Sequence, residues 1–138
     1  MLLQLILKIK GVENVKDNSF EIDYRYDSSV DVLAVKVKRD FNYGETIEMD
    51  EGVLLDFDED NIPISLEILD ASKRFNVPKY SLHNPFSFNM NVCVDDEAIK
   101  INVIIGVLIH NKEESSILKS LTNNYANIPN SETVLASA

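Results

Sequence analysis

Apolar and polar residues alternate with a period of two through most of the chain. In Phe20-Glu-Ile-Asp-Tyr-Arg-Tyr26 every second residue is apolar or aromatic. This predicts a half-buried strand with Phe20, Ile22, Tyr24 and Tyr26 on one face. Leu33, Val35 and Val37 repeat the alternation, and Asp27-Ser-Ser-Val-Asp31 between the two runs carries turn-forming side chains. The stretch from Val53 to Leu69 predicts a hairpin. With Asp60 and Asn61 at the centre of a type I′ turn, Phe57 opposes Ile64, Leu55 opposes Leu66 and Val53 opposes Ile68. All six then share one face, and a one-residue slip would separate them. The other face carries Leu54, Asp56, Asp58, Pro63, Ser65 and Glu67. A second hairpin runs from Phe86 to Ile109 with its turn at Asp95-Asp96-Glu97.

Helices enter at two places. Asp70-Ala-Ser-Lys-Arg-Phe75 predicts a short helix with Asp70 as N-cap. From Val103 onward both faces of the strand are apolar, through Ile104 and Leu108, which calls for a cover on each side. A helix from about Asn111 would supply it, with Glu113 and Glu114 in its first turn and Ile117, Leu118, Leu121 and Tyr125 along one stripe. The expected fold class is α+β: a mostly antiparallel β-sheet with a short central helix and a C-terminal helix. Residues 1–125 are expected to form a single domain, with a β core at about 18–75 and the second hairpin plus helix at about 86–125. The residues after Pro129 are small and polar, so 126–138 read as a flexible tail. Leu2 to Ile9 has apolar residues on both faces, which fits either packing between layers or pairing with a second copy, and a homodimer is expected.

Composition narrows the function classes. With 138 residues, 45% hydrophobic and 26% charged, the chain is ordinary for a globular protein. Thirteen basic against 23 acidic side chains give a net charge of −10. Such a field repels phosphate and argues against nucleic-acid or anionic-membrane partners. The apolar start, Met1 to Lys10, has its lysines after the apolar residues and no cleavage pattern, unlike an export signal. A single cysteine fits a cytoplasmic setting.

Candidate chemistry is sparse. From Asp40 to Glu67 there are ten acidic residues and no lysine or arginine. This marks an acidic sheet face, with Asp56, Asp58, Asp60 and Glu67 as the residues expected to meet a basic protein partner. An antitoxin-like role, neutralising a small basic protein, would suit such a chain. Asp56, Asp58, Asp60 and Glu67 also have the spacing of a calcium loop, but Asn61 stands at the sharp turn and the flanks read as strands, so no metal site is assigned. His83, His110 and Cys93 lie far apart in sequence, and no catalytic or cofactor-binding residue is assigned. The alternative to an interaction module is a small-ligand or divalent-metal-binding enzyme using the hairpin carboxylates.

The stretch from Tyr26 to Lys73 resembles a short family, domain of unknown function 2283. The matching residues are Tyr26-Asp27, Asp31, Leu33, Asp50-Glu-Gly-Val-Leu-Leu-Asp56-Phe-Asp58-Glu-Asp and Leu66-Glu-Ile-Leu-Asp-Ala-Ser-Lys73. The family pattern has glycine at the positions of Asn61 and Ser65. The resemblance implies a compact antiparallel sheet ending in a short helix, and implies no activity.

Overall fold

A computed structural model describes residues 16–137. Nine strands form one sheet: β1 (Lys16–Asp27), β2 (Val32–Val37), β3 (Tyr43–Asp50), β4 (Val53–Asp58), β5 (Pro63–Leu69), β6 (Ser87–Val94), β7 (Ala98–Ile109), β8 (Lys112–Asn123) and β9 (Ser131–Ala136). Between β5 and β6 lie the five-residue helix α1 (Ala71–Phe75) and a 3-10 turn at Lys79–Leu82. The strand order is β3-β4-β5-β2-β1-β9-β6-β7-β8. The molecule is therefore mostly β, and the expected α+β class is corrected. No helix among the described residues is long and apolar enough to cross a membrane.

The inner face of this sheet is continuous. Val35, Leu55, Phe57 and Leu66 from one half and Phe88, Met90, Ile101, Val103 and Leu135 from the other belong to a single buried cluster. The sheet curls so that its two edge strands approach. The Ser120 hydroxyl of β8 donates to the Asp50 carboxylate of β3, and the Ser116 hydroxyl donates to the Phe75 carbonyl at the end of α1. Side-chain bonds thus join edges that share no ladder.

Two hairpins keep the predicted pairing and one turn changes. Val53 opposes Ile68 and Leu55 opposes Leu66, but a bulge places Phe57 opposite Pro63. The loop has three residues. Asn61 N–H donates to the Asp58 carbonyl at 3.0 Å, Asp58 N–H donates to the Ile62 carbonyl at 2.8 Å, and only Asn61 has positive φ, at 63°. This is a type I turn followed by one left-handed residue, so Asp60 escapes the strain that a type I′ turn would impose. In the second hairpin Phe88, Met90, Val92 and Val94 oppose Ile105, Val103, Ile101 and Ile99. Its turn is held by Asp95, whose carboxylate accepts from the N–H groups of Glu97 and Ala98.

The C-terminal helix is replaced by β8. His110 and Asn111 both take positive φ, 51° and 64°, forming the two-residue turn that matches strand twist. The chain then pairs with β7 from Lys112 to Asn123. The residues assigned to one helical stripe separate: Leu118 is buried, whereas Ile117, Leu121 and Tyr125 are exposed. Asp70 precedes α1 but makes no side-chain cap, because its own backbone is left-handed. The flexible tail is also overturned. Residues 131–136 form β9 in the middle of the sheet, parallel to β1 and antiparallel to β6, with Leu135 fully buried. Asn124 orders the approach to it, exchanging hydrogen bonds with Ile128 and donating to the Asp95 carbonyl. Leu2 to Ile9, the segment expected to pair with a second copy, lies outside the described residues.

Candidate functional site

The register of β1–β5 places two rows of side chains across the outer face of the sheet. One row reads Thr46, Asp56, Ser65, Lys36, Asp23. The next reads Glu48, Leu54, Glu67, Ala34, Arg25. The two central strands, β5 and β2, contribute the small residues Ser65 and Ala34. Longer side chains rise around them, so the face is hollowed rather than flat. The resulting trough has a volume of about 780 Å³ and is lined by Asp23, Arg25, Lys36, Asp56, Glu67 and their neighbours.

Its best-ordered group is Asp56. The Thr46 hydroxyl donates to Asp56 Oδ1 at 2.5 Å and the Ser65 hydroxyl donates to Oδ2 at 2.6 Å. Both oxygens are thereby fixed in orientation. Glu67 is exposed one row away. Across the trough, Arg25 and Lys36 enter no ion pair among the described residues, while Lys38 at the rim bonds Glu21 at 2.9 Å. The site therefore has an acidic wall on β4–β5, while the wall on β1–β2 sets the cations Arg25 and Lys36 beside one carboxylate, Asp23.

The structure does not bring the four expected site residues onto one surface. Asp56 and Glu67 line the trough. Asp60 is exposed at the turn. Asp58 is only 4% exposed. Its Oδ1 accepts the N–H groups of Asp60 and Ile62, both at 2.9 Å, and its Oδ2 accepts from Arg39 at 2.9 Å. Burial alone would raise its pKa. The Ile62 N–H, the Arg39 guanidinium and the Asp60 N–H outweigh that and hold the carboxyl below its usual range. Asp58 is committed to shaping its own turn. Strands rather than helices flank that turn, and among the described residues no group of three or more His, Cys, Asp or Glu is placed to hold a metal ion.

The remaining candidates stay apart. Cys93 is half-buried on β6, and burial, Glu132 and Asp95 push its thiol up. It pairs with Lys100, ten residues from His110 along β7, which separates the two by about 33 Å. His83 lies edge-on to Tyr26, with ring centroids 5.2 Å apart.

Sequence reasoning did not single out Arg25, Lys36, Thr46 or Ser65 as site residues. Their common signal is register, since they become neighbours only across strands. It also did not anticipate a buried clamp at Asp31. This carboxylate accepts from the Tyr26 hydroxyl at 2.7 Å, the Ser72 N–H at 2.9 Å and the Ser72 hydroxyl at 2.7 Å. Burial opposes its charge, but these donors keep its pKa below the ordinary value. The clamp fastens the start of α1 to the β1–β2 turn.

Residues 23–72, which contain the clamp and most of the trough, match the family described as Protein of unknown function (DUF2283). The chain belongs to this family. It is 37% identical over 87 residues to a protein of Methanosarcina mazei named "Putative hypoxanthine phosphoribosyltransferase", spanning 63% of this chain and 70% of that protein. It is 36% identical over 104 residues to an uncharacterized protein of Methanocaldococcus jannaschii, spanning 73% of this chain and 86% of that protein. No solved structure matches it.

Proposed function

We propose that the chain is a protein-interaction module whose trough on β1–β5 receives an extended, predominantly basic segment of a protein partner. The observation that supports this is the division of the trough into two walls, with Asp56 fixed by two hydroxyls and Glu67 open beside it. Fixed carboxylates cost little ordering when they meet lysine or arginine, and a net charge of −10 steers such a segment inward. Arg25 and Lys36 refine the partner: its cations face β4–β5 and an acidic residue or carboxyl terminus faces β1–β2. A cytoplasmic setting belongs to the same proposal, because the lone Cys93 thiol has no internal cysteine to pair with.

Labelled peptides test this reading. An extended Lys/Arg-rich peptide with a free carboxylate should bind, and an acidic peptide of equal length should not. Raising salt from about 0.05 M to about 0.5 M should weaken binding at least about tenfold. D56N combined with E67Q should lower affinity about tenfold while leaving the melting temperature within about 2 °C. Equal binding of basic and acidic peptides, or no effect of the double variant, refutes the proposal.

The trough volume gives a second reading specific support, since about 780 Å³ with convergent polar groups suits a small molecule. The name of the Methanosarcina relative would make that molecule a phosphoribosyl donor. The wall formed by Asp56 and Glu67 opposes it, because pyrophosphate would meet fixed negative charge. A thermal shift with a nucleotide but not with the basic peptide would favour this second reading.

A further inference from the structure

Beyond the trough, the outer face of β6–β8 is covered by no other element among the described residues and is apolar at its centre. Ile104 and Ile117 are cross-strand neighbours, exposed by 41% and 55%. Leu108 continues the patch along β7 at 46%. Phe86 adds to it at 49%, lying across Gly106, where a Cβ would meet its ring at 2.6 Å. Only glycine lets this ring settle on the sheet. Lys100, Asn102, Lys119 and Glu113 surround these side chains, giving an apolar centre with a polar rim.

Charge selects the occupant. On a chain of net charge −10, the outward positions of β6–β8 carry two lysines, Lys100 and Lys119, and one glutamate, Glu113. This is a face that a second acidic copy can approach without repulsion. The signs are also arranged end to end. Lys100 and Lys119 lie on the Ala98–Asn123 side of the Ile104–Ile117 pair, and Glu113 lies on the turn side. A two-fold axis within the face and perpendicular to the strands, passing beside that pair, sets the lysine end of one copy over the Glu113 end of the other. Isologous contacts require this kind of self-complementarity. We propose that the chain forms a homodimer by stacking the outer faces of β6–β8, with Ile104, Ile117, Leu108 and Phe86 at its centre and Lys119 set against Glu113 of the second copy.

Sedimentation equilibrium of the full chain tests this from about 1 µM to about 100 µM. The expected result is twice the monomer mass at the upper end. I104E with I117E should give monomer with unchanged circular dichroism. E113K, at an exposed position that leaves the fold intact, should weaken the dimer about tenfold, and adding K119E should restore it. Monomeric wild-type protein throughout the range overturns the proposal. So does a dimer that survives I104E with I117E, because another surface, such as one formed by residues 1–15, would then hold it. Failure of K119E to rescue E113K overturns the proposed two-fold arrangement.

Discussion

Asp31 occupies a left-handed backbone position, with φ of 55°, and is only 6% exposed. Its three hydrogen bonds all reach a charged acceptor, the strongest kind for neutral donors. Replacing Asp31 by Ala leaves Ser72 and Tyr26 without their acceptor and adds backbone strain, so we expect a loss of about 3–4 kcal/mol in denaturant unfolding. Asp31 and Asp58 also set the acid limit of the fold. Both carboxyls titrate below the ordinary 3.8 in the folded state. Their stabilisation is complete above that value and is withdrawn as pH falls through the lower folded values. Unfolding free energy should be flat from about pH 7 to about pH 5 and fall below about pH 4. In the double variant D31N, D58N the fall should be shallower. Parallel curves for wild type and variant would show that other groups set the limit.

At the scale of elements, residues were legible where alternation and turn chemistry agreed. Val53, Leu55, Leu66 and Ile68 alternate on both sides of a strong turn, and their pairing followed. The strand β8 was illegible for a physical reason. Ile117, Leu118 and Leu121 fit a helical spacing as well as a strand with one apolar residue inside and two outside. The deciding feature was His110-Asn111, whose two left-handed positions direct the chain back along β7. Histidine disguises this turn. Changing His110-Asn111 to Asn-Gly supplies the residues that such a turn prefers and should stabilise the protein by about 1 kcal/mol. A helix beginning there would instead be weakened by the glycine. Likewise the trough could not be read from Asp56, Asp58, Asp60 and Glu67 alone. The bulge beside Phe57 turns Asp58 inward, and Arg25 and Lys36 reach the site only through β2 pairing.

For the whole molecule, the decisive element is β9. It holds six residues, yet it bridges β1 and β6 and so joins the half of the sheet bearing the trough to the half bearing the apolar face. Its sequence, Ser-Glu-Thr-Val-Leu-Ala, has only modest strand character, and its neighbours on both sides are more than 30 residues away along the chain. Such pairing leaves no local mark. Ending the chain after Pro129 should abolish the cooperative unfolding transition, because both inner strands would lose a ladder and Leu135 would leave the core. A truncated protein that melted like the full chain would mean that β1 and β6 can close on each other.

The position of β9 also bears on synthesis. Every other described strand has been translated before residues 131–136 are made, so until then the nascent chain lacks the strand that lies between β1 and β6. At ribosomal speed the wait between Asn123 and Ala136 lasts about a second, long enough for naked backbone on β1 and β6 to attract a chaperone or a neighbouring polypeptide.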